Sequence, residues 1–151
     1  MRTGLILSTL GLAALSAPAF AQDTITLEPG MYSGTTVLKA KSGGFTNNSS
    51  LGPVCLTSAN NTVGWADYVP LTKTIKTCKT NVISRSEGRL NATLQCNLSN
   101  PAGFQQIGVG TAMWDSKEIY MEFDGYLGKQ GEQSGIPHTV EVSIKRTGDC
   151  G

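Results

Sequence analysis

One stretch of the chain alternates apolar and polar residues without a break, and it limits the choice of fold more than any other feature. In "RLNATLQCNL" every second residue from Leu90 to Leu98 is apolar, and the residues between them are Asn, Thr or Gln. A period of two places successive side chains on opposite faces of a β-strand. The stretch is therefore predicted to be an antiparallel strand with one face in a hydrophobic core and the other in water.

Six further segments have the same character and are bounded by Gly, Pro, Asn or Ser residues, which favour turns. They are "GMYSGTTVLKA", "GPVCLT", "TCKTNVISRS", "QQIGVGTAMW", "EIYMEFDGYLG" and "HTVEVSIKRT". The fold class is accordingly predicted to be all-β, with about seven antiparallel strands in a sandwich or a partly closed barrel. The segment "SANNTVGWADYVPLTK" has no period. We expect it to form one long crossing loop that carries a helical turn.

The amino terminus has the pattern of a secretory signal peptide. Arg2 precedes an apolar run that ends in Ala19-Phe20-Ala21, an A-x-A cleavage pattern, and the run is short for a membrane span. Residues 1–21 are therefore predicted to be removed, leaving residues 22–151 as a single domain of about 130 residues. The mature chain is expected to have no membrane span and to be periplasmic or secreted.

The charge of the mature chain argues against nucleic acid as a partner. Loss of Arg2 reduces the 12 basic residues to 11, against 11 acidic residues. A nucleic-acid-binding domain needs a basic surface to neutralise phosphates, and a chain with no net charge does not provide one.

All four cysteines follow the predicted cleavage site. An even number of cysteines in an oxidising compartment indicates two disulfides. The cysteines are Cys55, Cys78, Cys96 and Cys150. A zinc site is not expected, because the chain has no C-x-x-C pair and its only histidine is His138. No cofactor is predicted.

The segment "VISRSEGRLNA" predicts a hairpin whose register brings two cysteines together. Gly88 suits the left-handed position of a three-residue turn with a bulge. That register places Ser84 opposite Leu90 and Cys78 opposite Cys96. The competing two-residue Glu-Gly turn would pair charged residues with the apolar face, so we favour the bulged turn.

The predicted register also suggests how the cysteines are paired. Two cysteines that face each other in a non-hydrogen-bonded pair are within reach of a disulfide. If Cys78 joins Cys96, Cys55 is left for Cys150, and the last strand is tied to the second. The connectivity of Cys55 with Cys78 and Cys96 with Cys150 stays open, because spacing alone does not choose among the pairings.

Few residues suggest catalysis. The chain has no G-x-S-x-G, Walker or H-E-x-x-H motif. His138 follows Pro137 at a predicted strand start, where a surface or turn role is expected. Glu122 and Asp124 are two residues apart on one predicted strand, and we expect them on a solvated outer face. The chain is therefore predicted not to be an enzyme.

Binding is better supported than catalysis, because curved sheets present concave faces where aromatic side chains line ligand sites. The candidate ligand-binding residues are Tyr32, Trp65, Tyr68, Trp114, Tyr120 and Tyr126. In "QIGVGTAMW" the small residues at positions 108, 110 and 112 share one face. That face either forms a lipid-sized groove or makes room for Met121 and Phe123.

Several segments together resemble the bacterial exported family known as domain of unknown function 3617. They are "LEPGMYSGTTV", "VCLT", a cysteine about twenty residues later, "SRSEGRLNATLQC" and "KRTGDC". The resemblance covers nearly the whole mature chain, residues 24 to 150. The family often has a Trp where this chain has Tyr32. The resemblance implies a periplasmic or secreted bacterial protein with paired cysteines, and it implies no catalytic residue.

Two functions from different classes follow as expectations. The first is a non-enzymatic β domain that binds a small apolar or envelope-derived ligand. The alternative is an envelope protein-protein interaction or structural module, which would dock through an exposed strand edge or the long loop. The first function requires a cavity or groove, whereas the second requires an unprotected edge or a flat apolar patch.

Overall fold

The computed structural model describes residues 24–64, 75–99, 102–132 and 134–151. In these residues the chain is all-β, as predicted, and contains nine strands. They are β1 (Thr24–Thr26), β2 (Gly30–Ala40), β3 (Thr46–Leu56), β4 (Thr62–Gly64), β5 (Ile75–Ser86), β6 (Arg89–Leu98), β7 (Phe104–Trp114), β8 (Glu118–Lys129) and β9 (Ile136–Gly148). The predicted signal peptide at 1–21 lies outside the described residues. So do residues 65–74, which include much of the segment expected to carry a helical turn.

Seven strands form one antiparallel sheet in the order β3-β2-β9-β8-β7-β6-β5. They correspond to the seven segments predicted from the sequence, although β3 begins well before "GPVCLT". The edge strands β3 and β5 are not paired with each other, so the sheet is open and does not close into a barrel. β1 and β4 pair separately, and β4 lies within the segment predicted to be a loop.

One face of the large sheet, here called the inner face, carries the hydrophobic core. Its alternate positions on β6, β8 and β9 are fully or nearly fully buried, which is the burial predicted for "RLNATLQCNL". Ile25 of β1 and Val63 of β4 belong to the same core cluster, so the small sheet packs over the inner face. The opposite face, here called the outer face, carries most of the polar residues of the strands.

Phe123 fills the space above two glycines on the inner face. Gly108 of β7 and Gly125 of β8 are directly paired. A Cβ atom on Gly108 would lie 2.6 Å from the Phe123 ring, and one on Gly125 would lie 2.7 Å from it. These separations are shorter than a Cβ contact allows, so only glycine fits beneath the ring. On this face the small residues of β7 therefore make room for core side chains and do not open a groove.

Two disulfides join distant parts of the sheet. Cys55 of β3 is bonded to Cys150, which follows β9, with 5.6 Å between their Cα atoms. Cys78 and Cys96 are bonded across the β5–β6 hairpin, with 4.0 Å between their Cα atoms. The pairing in order along the chain does not occur. Because β2 lies between β3 and β9, the Cys55–Cys150 bond holds three neighbouring strands together.

The β5–β6 hairpin has the predicted register at its cysteines but not at its turn. Cys78 pairs with Cys96, whereas Ser84 pairs with Asn91 and not with Leu90. The prediction of a bulged three-residue turn was therefore wrong. The turn between Ser86 and Arg89 has two residues, and the irregularity lies within β5 between Val82 and Ser84.

The position of this bulge is explained by the contacts of Arg85. Arg85 pairs with Leu90, which is buried, so the side chain of Arg85 is on the inner face of the hairpin. It is exposed, because this pair lies near the turn, at the end of the sheet. There its guanidinium lies 5.2 Å from the centroid of the Trp114 ring. It also donates to the carbonyl oxygen of Thr24 at 2.8 Å. These contacts give the charge a cation–π partner and a hydrogen bond, which removes the objection to a two-residue turn.

Candidate functional site

The described candidate aromatic residues do not form one cluster. Tyr32 is only 2% exposed, and its hydroxyl donates to the carbonyl oxygen of Glu28 at 2.8 Å, so it is a core residue. Trp114 is half-buried against the core. Tyr120 and Tyr126 lie on the outer face of β8, as expected for residues at alternate positions. Trp65 and Tyr68 lie outside the described residues.

An open groove of about 760 Å³ crosses the outer face from β5 to β9, and we call it the outer groove. Its floor consists of two parallel rows of cross-strand neighbours. The first row, in order from β5 to β9, is Lys79, Gln95, Ile107, Tyr126 and Pro137. The second row is Asn81, Thr93, Val109 and Asp124. Of the predicted aromatic residues that are described, only Tyr126 lines this groove.

The outer groove is polar at one end and apolar at the other. On β5 and β6 its side chains are those of lysine, asparagine, threonine and glutamine. On β7 they are Ile107 and Val109, and the apolar surface continues over Tyr126 and Pro137. Val109 is 46% exposed, which is high for a valine in the middle of a sheet. Neighbouring strands lie about 4.8 Å apart, so the first row spans about 19 Å.

The charges around the outer groove are unevenly compensated. Asp124 forms an ion pair with Lys41, which reaches it from beyond the end of β2. Lys39 pairs with Glu141 at 2.6 Å on the same outer face. In the part of the chain that the structure describes, Lys79 has no carboxylate within ion-pair distance. Within the described ranges, the β5 end of the groove therefore carries a positive charge without an ion-pair partner, whereas the carboxylate of Asp124 on β8 is compensated by Lys41.

His138 is buried, so the expectation of a surface or turn role was wrong. It is 4% exposed and belongs to the inner face, because β9 alternates from His138 through Val140 and Val142. Its Nδ1 lies 3.3 Å from the carbonyl oxygen of Ile136, and its Nε2 lies 3.0 Å from the side-chain nitrogen of Gln106. This geometry fits a neutral imidazole that donates from Nδ1 and accepts at Nε2. His138 therefore does not contact the outer groove.

The buried polar pair makes stability depend on pH. Burial lowers the pKa of His138 below its ordinary value of 6.5. The unfolded chain then binds a proton before the folded chain does as the pH falls. We expect the free energy of unfolding to be highest above about pH 6.5 and to decrease as the pH falls toward the lower pKa of the folded state.

Urea unfolding between pH 7.5 and 5.5 tests this expectation, because most carboxylates remain ionised in that range. The variant His138→Gln keeps a polar side chain but has no proton to bind, so its stability should be nearly constant over the same range. An equal pH dependence in the two proteins would contradict the assignment to His138.

Comparison with known proteins places the chain in a family. A family model described as "Protein of unknown function (DUF3617)" matches residues 27–150. The chain belongs to this family. The DUF3617 match begins after β1 and includes β2 to β9, both disulfides and all residues of the outer groove. The family description names no function, and no curated protein or solved structure matches the chain.

Two further properties concern metals and membranes. The described ranges contain no group of three or more His, Cys, Asp or Glu side chains arranged to hold a metal ion. Across the same ranges, no helix has the length and apolar character needed to cross a bilayer.

Sequence reasoning missed most of the outer groove. Ile107 and Val109 alternate with small residues, and the prediction concerned the face that carries those small residues. The polar groove residues on β5 and β6 have the composition of an ordinary exposed strand face. One signal was present, since β7 carries large apolar residues on the face opposite its glycines. A strand with a glycine-rich inner face and a valine-isoleucine outer face indicates an apolar outer surface.

Proposed function

We propose that this DUF3617 chain is an exported, non-enzymatic binding domain that holds a small, mainly apolar ligand in the outer groove. The observation that supports the proposal is the exposed apolar floor on β7 to β9, away from the core and bordered by polar side chains. Its volume of about 760 Å³ is within the range of ordinary small-molecule sites.

The proposed location is the periplasm or the exterior of a bacterial cell. The two disulfides support it, because such bonds persist in oxidising compartments and are rare in the cytosol. The ligand would then be a molecule of the cell envelope or one that passes through it.

The proposal assigns no reaction to the groove. The single histidine of the chain is buried on the opposite face, where Gln106 and the carbonyl of Ile136 occupy its nitrogens. Asp124, the carboxylate of the groove, forms an ion pair with Lys41.

The first experiment is native mass spectrometry followed by organic extraction, performed on mature protein purified from its own periplasm. A co-purifying molecule of fixed mass would support the proposal. Protein that carries no small molecule, or that co-purifies only with a second protein, would count against it.

The variant Val109→Glu tests whether the groove is the site. A carboxylate in the middle of the apolar floor should reduce ligand occupancy by about tenfold or more, because the ligand must either displace it or desolvate it. Stability should change by about 1 kcal/mol or less, since Val109 is 46% exposed but the new carboxylate would lie directly opposite Asp124. Ligand occupancy is measured by native mass spectrometry and stability by thermal unfolding.

Met113→Glu is the matched control for this variant. Met113 is 42% exposed, lies on the same face of β7 and is outside the outer groove. It should leave ligand occupancy unchanged. If the two variants had the same effect on occupancy, the site would not be the outer groove.

One observation favours the alternative function, a protein-interaction or structural module. β3 is an edge strand, and its first part, "TNNSSL", is extended, uncharged and mostly exposed. Natural edge strands usually carry charges, prolines or bulges that prevent pairing with another chain. The proline and the register irregularity of β3 lie at residues 52 and 53, beyond this first part, whereas β5 has Lys79, Arg85 and a bulge. The first part of β3 is therefore the edge better suited to adding a strand.

A further inference from the structure

We propose that the ligand of the outer groove is a single-chain amphiphile of medium length with one carboxylate head group. The head would lie against Lys79, and the chain would lie over Ile107, Tyr126 and Pro137. This inference rests on the proposed function and names the ligand class of the same site.

The order of side chains along the first row indicates how a ligand would be oriented in the groove. From β5 to β9 the row changes from a cation to an amide, then to an aliphatic, an aromatic and a proline side chain. The second row begins in the same way, with Asn81 and Thr93 on β5 and β6 and Val109 on β7, but it ends on Asp124, whose carboxylate is paired with Lys41, so the first row alone sets the direction. A ligand that matches this order has a polar head and an apolar tail, and lies across the strands.

The charge of the head group follows from the ion pairs. Lys41, Lys39, Lys145 and Arg146 each have a carboxylate partner. Lys79 lines the groove and has none among the described residues. One ammonium group balances one negative charge, and the side-chain amide of Asn81 offers a further hydrogen-bond donor beside it. A carboxylate has a single charge that one ammonium group balances, whereas a phosphate monoester carries about two charges and would leave one of them without a partner.

The dimensions of the floor set the size of the tail. Two strand spacings separate Ile107 from Pro137, so the apolar part of the first row is about 10 Å long. One leaflet of a bilayer core is about 15 Å thick, which corresponds to a full-length acyl chain. The two rows lie about 7 Å apart, the separation of alternate residues along a strand. The floor therefore accommodates one chain shorter than those of membrane lipids, and not two chains.

The experiment is an NMR titration of the mature protein with three ten-carbon probes that differ in the head group. Decanoate is anionic, monodecanoylglycerol is neutral and decyltrimethylammonium is cationic. We expect the affinities to decrease in that order, with the largest shifts at Ile107, Val109 and Gly125. The variant Lys79→Gln should reduce the affinity for decanoate by about two- to fivefold, which is the contribution of an exposed ion pair. It should leave the affinity for the neutral probe unchanged.

Lys117→Gln is the matched control, because it removes the same charge from an exposed lysine in the β7–β8 turn, outside the groove. It should not alter decanoate binding. The effect of Lys79→Gln should also become smaller at high salt, where exposed charges are screened.

The outcomes separate this inference from the proposed function. Equal affinities for the anionic and neutral probes, with no effect of Lys79→Gln, would overturn the carboxylate head group and leave groove binding intact. Tighter binding of a single-chain lysophosphatidylglycerol than of decanoate would overturn the carboxylate class in favour of a phosphodiester. Absence of binding by all three probes would overturn the amphiphile as the ligand class. The proposed function fails instead if the native protein carries no small molecule, or if Val109→Glu and Met113→Glu change its occupancy equally.

Discussion

Replacement of Phe123 by alanine is expected to lower the free energy of unfolding by about 3 to 5 kcal/mol. The side chain is 0% exposed and is the largest of the fully buried residues. Its ring covers Gly108 and Gly125, which have no side chains that could move into the space it leaves. Since β7 and β8 are each paired on both sides, their backbones cannot easily collapse into the cavity. We therefore expect a value near the upper end of the range.

Equilibrium urea unfolding measures this effect, and two variants calibrate it. Phe123→Leu keeps most of the volume and should cost clearly less than the alanine variant. Met113→Ala, on the exposed face of β7, should change stability by about 0.5 kcal/mol or less. A loss below about 1 kcal/mol for Phe123→Ala would mean that the ring does not pack over the glycines.

Removal of the Cys55–Cys150 disulfide is expected to have an effect of similar size. The bonded residues are 95 positions apart, and closing a loop of that length stabilises a chain by about 4 to 5 kcal/mol in the chain-entropy description. Both cysteines are only half-buried, so the double variant Cys55→Ala/Cys150→Ala loses little packing. We expect the free energy of unfolding to decrease by about 2 to 5 kcal/mol. We also expect it to fall more steeply with urea concentration, because the unfolded chain expands and exposes more surface.

The second disulfide provides the comparison. Cys78 and Cys96 are 18 positions apart, so the loop term for Cys78→Ala/Cys96→Ala is about 3 kcal/mol. Cys96 is fully buried, and its loss also leaves a cavity, so total stability does not separate the two bonds cleanly. The slope of the free energy of unfolding against urea concentration distinguishes the two bonds, since it reports the expansion of the unfolded chain. Equal urea dependences in the two double variants would contradict the loop argument.

The strands of the large sheet were predictable because each is long and buries one face. Alternation over ten or more residues, as in β6, leaves a pattern that chance rarely produces. β1 and β4 have only three residues each, which is too few to show a period. Their burial depends on packing against the inner face of a sheet that only the whole chain forms.

The site was less predictable, because it depends on register across five strands. The sequence shows which residues of a strand share a face, but it does not show which face meets the core when both carry aromatic residues. Tyr32 and Trp114 lie on the inner side, and Tyr126 lies on the outer side. Lys79 and Pro137 are distant in sequence and become members of one row only through four successive strand pairings.

The connectivity of the cysteines also determines the order in which the chain can be oxidised. Cys150 is the last of the four to be synthesised, so Cys55 must wait for it while Cys78 and Cys96 are already present. If the Cys78–Cys96 bond forms before Cys150 is available, it removes both competing thiols. A chain cut before Cys150 would then keep a single reduced thiol at position 55, on the edge strand β3, where it could cross-link one copy to another.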